Sequence, residues 1–243
     1  MINLRKGRYR ARLAEDADDL DAVQALRALV FRGASGDDHD PFDADCAHML
    51  VEDQRTSTVV CCFRMMHLPS GADIGRSYSA QFYELSALKD FDGPMVEMGR
   101  FCIHPEWKDA DILRVAWGAM TAYVDSEGVE MLFGCSSFHG TEADEYFDAF
   151  ALLRDRHLAP KRWLPRVKAP SVFQFARRLT GKPDLKAAQA KMPPLLRTYL
   201  LMGGWVSDHA VIDDDLGTLH VFTGLEIRAV PPTRARLLRG VAG

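Results

Sequence analysis

The sequence has little that would tie a chain together covalently or anchor it in a bilayer. It carries five cysteines in 243 residues, two of them adjacent at Cys61 and Cys62. That set builds neither a disulfide framework nor a paired metal-ligand spacing. Cys46, Cys102 and Cys135 read instead as small core residues, and no metal site is expected. No apolar run approaches the roughly 18 residues of a membrane span. The basic stretch over residues 1–12 lacks the apolar core that would make it a leader. A cytosolic protein is therefore expected. Internal repeats and low-complexity segments are missing too. What remains, at 47% hydrophobic and 26% charged, is enough for one good core or a domain with an elaborated C-terminal part.

Charge is informative locally rather than globally. The chain has a net charge of −4, yet residues 151–191 hold eleven Lys and Arg against Asp155 and Asp184. That segment is thus +9 and everything else sums to −13. Trp163, Phe173 and Phe175 are interleaved with the cations. Solvated faces mix both signs, so the segment points to docking on an acidic partner or anionic lipid, with Arg162, Arg166 and Lys168 at its centre. An ordinary basic surface is the competing reading. No nucleic-acid recognition motif accompanies the charge, and no nucleic-acid partner is expected.

The chain is organised around residues 94–135. Residues 95–103 are mostly apolar and stop at His104-Pro105, the pattern of a buried strand. Ile112, Val115, Ala116, Ala119, Met120 and Tyr123 then recur at helical spacing, and residues 131–135 form a second apolar strand. Strand, helix, strand at this length is a βαβ unit, which presents a helix N-terminus to a ligand. Two charges interrupt the first strand, Glu97 and Arg100. They are either a structural ion pair or the lining of a site. Residues three apart face opposite sides of a regular strand, so a shared cleft requires an irregularity, for which Gly99 suggests a bulge.

Around this unit the elements follow in order. Residues 8–13 alternate as a strand, and residues 16–31 form an amphipathic helix with acids in its first turn. A polar loop over residues 33–45 precedes a hairpin of residues 48–53 and 58–66. Residues 68–89 are irregular, with 78–88 unassigned. A helix over residues 142–155 leads to the basic insertion or lid (151–192). Pro193 and Pro194 open a further helix that ends at Gly203-Gly204, and strands are expected over 206–211 and 218–227. The expected architecture is one α/β domain over residues 1–243, a mixed twisted sheet flanked by helices.

A strand carrying Glu-x-x-Arg, then His-Pro, then a helix, resembles the central motif of the GNAT acyltransferase superfamily. More narrowly, it resembles the branch that holds acyl-homoserine-lactone synthases and ornithine-lipid N-acyltransferases. Arg27 and Phe31 match that branch's Arg-x3-Phe on the first helix. Asp40 and Asp43 match its Asp-x-x-Asp in the next loop, and Arg64 its arginine on the hairpin. The runs Phe133-Gly134-Cys135-Ser136-Ser137-Phe138, Pro193 to Leu200, Gly203-Gly204-Trp205-Val206 and Asp215-Leu216-Gly217-Thr218 are similar to the ornithine-lipid enzymes. The resemblance covers roughly residues 8–226 and implies transfer of a 3-hydroxyacyl chain from acyl carrier protein to the α-amino group of ornithine. The donor would be a phosphopantetheine thioester, a substrate rather than a bound cofactor, and the lyso-lipid product implies a peripheral contact with the inner membrane face.

One absence bears on the donor. GNAT enzymes in general carry a glycine-rich turn at this helix start, whose bare N–H groups hold a coenzyme A pyrophosphate. Here Trp107-Lys108-Asp109-Ala110-Asp111-Ile112 has no glycine and two acids, which repel a pyrophosphate and suit a carrier-protein thioester better. In the implied site Glu97 accepts the amine proton or orients the amine. Arg100 binds the amino-acid carboxylate or holds Glu97. Asp40 and Asp43 meet a cationic side chain, and the strand at Phe101, Cys102 and Ile103 holds pantetheine. Tyr123, Ser136 and Tyr199 are candidate donors to the leaving thiolate, whereas His104 and His139 read as turn residues. Two other functions compete. An autoinducer synthase would take S-adenosylmethionine as acceptor, but the lipid-type C-terminal half, and Phe42-Asp43 without a tryptophan upstream, argue against it. A non-catalytic acyl-carrier-binding or membrane-binding module would fit if Glu97 and Arg100 formed a closed buried pair.

Overall fold

Gly7, at φ +58°, turns the first hairpin, β1 (Asn3–Lys6) and β2 (Tyr9–Leu13), in a computed structural model that describes residues 2–33 and 36–242. The chain continues through α1 (Ala17–Phe31), β3 (Ala47–Asp53), β4 (Thr58–Leu68), β5 (Tyr83–Glu84), β6 (Met95–Ile103), α2 (Ala110–Glu127) and β7 (Met131–His139). Then come α3 (Phe147–Arg156), β8 (Arg166–Val167), β9 (Val172–Phe173), α4 (Phe175–Arg178), α5 (Leu185–Lys191) and α6 (Pro194–Leu201). The last elements are β10 (Trp205–Val206), β11 (Ala210–Asp213), β12 (Thr218–Glu226) and α7 (Pro232–Ala242). Short 3-10 turns at Pro41–Asp45, Gly71–Arg76 and Tyr78–Gln81 lie between them.

Two compact units form. The first takes Met1–His67, Met98–Val129 and Pro231–Gly243. Its strands run β1-β2-β3-β4 with antiparallel registers, a bulge falling between Val51 and Glu52. Helix α1 starts where Asp16 accepts from Asp19 N, the usual device for an orphan N–H. It lays Val23 and Leu26 on Leu50, Cys62 and Cys102. Helix α2 is capped by Asp109 and closed by Gly128 in the left-handed region at φ +61°, which a side chain there would strain. Gly118 lets α7 approach α2, since a Cβ there would come within 2.7 Å of Val241 Cγ1.

The second unit takes Leu68–Glu97 and Glu130–Val230. The start of β6 pairs parallel to β7, Met95↔Met131 to Glu97↔Phe133. β7 pairs antiparallel with β12 over nine residues, and β11 and β9 continue beyond β12. The sheet is therefore mixed. Its aromatic core gathers Phe138, Phe150, Phe173, Phe175 and Val221.

The expected α1, hairpin, βαβ unit and α6 are present. Two readings change, and two segments without an expected structure gain one. Residues 206–211 are not one strand: β10 ends at Val206 and β11 starts at Ala210. Between them Ser207 Oγ bonds His209 O at 2.7 Å and accepts from Phe222 N at 3.1 Å. The basic segment, expected as an insertion or lid, contains β8, β9, α4 and α5, and β8 pairs with β5 in a separate two-stranded ribbon. The helix over 142–155 begins as a 3-10 turn at Ala143–Tyr146 and becomes α-helical only at Phe147. Beyond the stretch covered by the resemblance, Pro232–Ala242 form the helix α7. Residues 34 and 35 of the loop expected over 33–45 lie outside the described residues.

Candidate active site

In the first unit, α1 places Gln24, Arg27 and Phe31 at helical spacing on one face. Arg27 reaches back across its helix and is 1% exposed. Its Nε donates to Asp38 Oδ2 at 2.7 Å, Nη1 to Asp43 Oδ1 at 2.7 Å and Nη2 to Asp38 O at 2.7 Å. Arg64 on β4 donates to Asp43 Oδ1 at 2.7 Å and Asp40 Oδ2 at 3.1 Å. Arg100 on β6 donates to Asp38 Oδ2 at 3.1 Å and Asp40 Oδ2 at 2.8 Å. Three arginines from three elements thus meet three aspartates of one loop. Arg32 adds an Nε contact to Asp38 at 3.4 Å, and Gln24 one to Asp43 at 3.4 Å.

The loop is shaped to deliver those acids. Asp40 caps the 3-10 turn by accepting from Phe42 N at 2.9 Å, and Asp43 follows one turn later. Burial opposes ionisation of both. Hydrogen bonds from Arg64 to Asp40, and from Arg27 and Arg64 to Asp43, outweigh it and leave both below the usual carboxylate range. Burial likewise opposes the charged form of Arg27, and Asp43 and Asp38 overcome it, leaving its pKa raised. Phe31 and Phe42 cover the cluster, with Arg100 Cζ 5.9 Å from the first ring and Arg64 Cζ 5.6 Å from the second. Such cation–π contacts complement ion pairing in a dry setting.

The irregularity expected at residues 98–100 is present, but at a different residue. Arg100 itself adopts φ +52°. Gly99 is not in the left-handed region, and a Cβ there would meet the Arg64 side chain, Nε at 3.5 Å and Cγ at 3.8 Å. A non-glycine residue held left-handed in a strand costs on the order of 1–2 kcal/mol, and the surrounding ion pairs of Arg100 hold it there.

Glu97 belongs to the second unit and has other partners. It is 4% exposed. Its Oε2 accepts from Tyr78 N at 2.7 Å, and Oε1 accepts from Ser79 N at 2.7 Å and Ser79 Oγ at 2.5 Å. The segment left unassigned in the sequence is the one that holds this carboxylate. Ser136 is also buried here, its Oγ 2.9 Å from Thr223 Oγ1. In the first unit Phe101 stacks on Phe63 at 5.6 Å, Cys102 Sγ lies 3.4 Å from Cys62 Sγ, and Ile103 is half-buried. The basic trio is surface-borne. Arg162 lies 3.4 Å from Glu226, Arg166 lies 4.0 Å from Glu84, and Lys168 donates to Ala80 O at 2.6 Å. Sequence reasoning missed Asp38, Tyr78 and Ser79. Asp38 was visible only as one acid among five in its loop, and nothing in the local pattern marked Ser79.

The N-terminus of α2 is occupied by the protein's own carboxylate. Asp109 Oδ1 accepts from Asp111 N at 2.9 Å, and Oδ2 accepts from Tyr9 Oη at 2.9 Å. These two bonds, the backbone one first, hold Asp109 below its ordinary pKa. A carboxylate cap at this position satisfies an orphan N–H and complements the helix dipole. Among the described residues no group of three or more His, Cys, Asp or Glu is arranged to hold a metal ion.

Residues 26–118 match the model of the acetyltransferase (GNAT) domain family. The mixed α/β sheet and this match are those of a GNAT-type acyltransferase. A solved N-acyl amino acid synthase from uncultured soil microbes superposes with a TM-score of 0.52 at 9% identity, covering 92% of this chain and 94% of that one, a likeness of fold alone. An L-ornithine N(alpha)-acyltransferase of Rhodobacter capsulatus is 33% identical, with 91% of each chain covered. One from Brucella abortus is 31% identical over 93% of this chain and 87% of its own. The chain belongs to the L-ornithine N(alpha)-acyltransferase family.

Proposed function

We propose that the protein transfers a (3-hydroxy)acyl chain from acyl carrier protein to the α-amino group of an amino acid, ornithine first, giving a lyso-aminolipid. The observation that carries the reading is the buried Glu97 carboxylate held by three donors of one segment. Ammonium groups of amino acids are mostly protonated near neutral pH, so attack on a thioester needs a placed proton acceptor. Glu97 takes that proton directly or through water. The freed amine forms the N–C bond with the thioester carbonyl, the C–S bond breaks, and the second proton that the nitrogen sheds in becoming an amide goes to the departing thiolate. Arg100 orients the acceptor's carboxylate from within its aspartate cluster, which Arg27, Phe31, Asp40, Asp43 and Arg64 brace. The strand at Phe101, Cys102 and Ile103 lies along the pantetheine arm, and Ser136 is a candidate donor to the leaving thiolate.

The Asp109 cap supports a carrier-protein thioester over free acyl-coenzyme A, because its carboxylate accepts from Asp111 N and repels a pyrophosphate at that helix start. The basic segment with Arg162, Arg166 and Lys168 supports docking of the acidic carrier and peripheral contact with an anionic membrane. No helix among the described residues is long and apolar enough to cross a membrane. The purified protein incubated with 3-hydroxyacyl carrier protein or 3-hydroxyacyl-coenzyme A, and with ornithine, lysine, glutamine or glycine in turn, tests this. Mass spectrometry should find the N-acyl product with ornithine and the carrier donor. A product only with coenzyme A would overturn the donor assignment, and no N-acyl amino acid in any arm would overturn the reaction.

A further inference from the structure

The second unit ties Glu97 to a 3-10 turn, beside the β5–β8 ribbon, that the reaction scheme leaves without a role. Ser79 is fully buried and gives Glu97 Oε1 two of its bonds, from N at 2.7 Å and from Oγ at 2.5 Å. The same Oγ lies 3.4 Å from Cys135 Sγ, half-buried on β7. The turn that presents Ser79 is itself fixed from both sides. Ser77 Oγ donates to Ile74 O at 2.7 Å and accepts from Ala80 N at 3.2 Å. On the other side, Lys168 Nζ donates to Ala80 O at 2.6 Å and Ala169 N to Phe82 O at 2.9 Å, in line with the β5–β8 pairing. A buried serine in a turn fixed by hydrogen bonds on both sides, with its hydroxyl on a buried carboxylate, is arranged for that carboxylate.

We propose that Ser79 is a positioning residue for the transfer reaction: its hydroxyl and amide fix the orientation of Glu97 and keep it ionised to receive the amine proton. Two physical effects follow from the geometry. Donors converging on both oxygens leave the carboxylate one orientation, which a proton acceptor requires. Hydrogen bonds to the ionised form also favour that form, and the hydroxyl supplies the shortest of the three. The tyrosine and serine amides cannot be removed by mutation, but the hydroxyl can. Ser79 touches no substrate in this scheme and acts through Glu97, so the inference rests on the proposed role of Glu97.

Ser79→Ala, Ser79→Thr and Glu97→Gln, assayed with the carrier thioester and ornithine across pH 5 to 9, separate the two. Glu97→Gln should abolish turnover. Ser79→Ala should lower kcat about tenfold, with KM for ornithine within about twofold and the acid limb of the kcat profile displaced upward by about one pH unit. Ser79→Thr, which restores the hydroxyl, should recover the wild-type limb. An inactive Glu97→Gln beside a Ser79→Ala profile with no displaced limb would overturn the positioning role and leave Glu97 in place. An active Glu97→Gln would overturn the role of Glu97 and this inference with it. If Ser79→Ala shows a lowered melting temperature, the profile is read at a temperature where it is folded, and a parallel loss at every pH, with no displaced limb, counts against the proposal.

Discussion

Asp38 Oδ2 accepts from Arg27 on α1 and from Arg100 on β6, at a residue 2% exposed. A buried charge of this kind is tolerated only with its partners complete. Removing one member of a buried pair leaves the other uncompensated, at a cost of about 3–5 kcal/mol, whereas an exposed pair such as Arg114–Asp111 is worth less than about 1 kcal/mol. Asp38→Asn keeps the shape and removes the charge, and it should lower the urea midpoint by an amount equivalent to about 3 kcal/mol. Asp111→Asn should leave the midpoint within experimental error. An Asp38→Asn variant as stable as the parent would show that the arginines share their charge among Asp40 and Asp43 alone. The same pairing changes the view of Asp40 and Asp43. The spacing suggested acids ready for a cationic substrate, but in the fold their carboxylates already answer Arg27, Arg64 and Arg100.

At the scale of elements, periodicity found what was long and local, and missed what was short and non-local. Helix α2, the β3–β4 hairpin and the parallel β6–β7 pair each repeat an apolar pattern over enough residues to be read. The 3-10 turn at Tyr78–Gln81 has four residues, too few for any period, and its role exists only because Glu97 arrives from 18 residues away in sequence. Helix α7 was hidden for another reason: with Arg234, Arg236 and Leu237 exposed, its pattern looks like a basic tail until Gly118 of α2 receives Val241. The ribbon element β5 offers a measurable case. Tyr83 Oη donates to His220 O at 2.8 Å and lies 3.1 Å from His220 Nδ1, and the Tyr83 and His209 rings are 5.2 Å apart. Burial first, and then the neighbouring His209, lower the pKa of His220 from 6.5 to about 4. The folded state therefore refuses a proton that the unfolded chain accepts. This contribution is complete above about pH 6.5 and is lost as pH falls toward 4, reaching about 3 kcal/mol. His220→Gln should flatten the fall in melting temperature between pH 6.5 and 4, and an unchanged slope would assign the acid sensitivity elsewhere.

Over the whole molecule the charges are sorted rather than mixed: +9 in residues 151–191 within a chain of net −4. Sorting of this kind does not stabilise a fold, but it creates a long-range field that raises encounter rates with an anionic partner. The structure divides the trio chosen from sequence by what each side chain touches. Arg162 and Arg166 extend into solvent, with side chains 60% and 80% exposed, Arg162 3.4 Å from Glu226 and over the Trp163 ring, Arg166 4.0 Å from Glu84. Lys168 is held on Ala80 O, one residue beyond Ser79. Charge reversal at Arg162 and Arg166 together should raise KM for the acyl carrier about tenfold at low salt while kcat stays within about twofold. The difference from the parent should vanish toward 1 M salt, as the screening length falls from ~10 Å at 0.1 M to ~3 Å. Lys168→Met should do the reverse, lowering kcat with little change in KM, because it loosens the turn that holds Glu97. If all three cations behave alike, with KM effects that salt erases, Lys168 is one more docking charge. If none changes KM or salt dependence, the basic segment is a solvated surface and the carrier docks elsewhere.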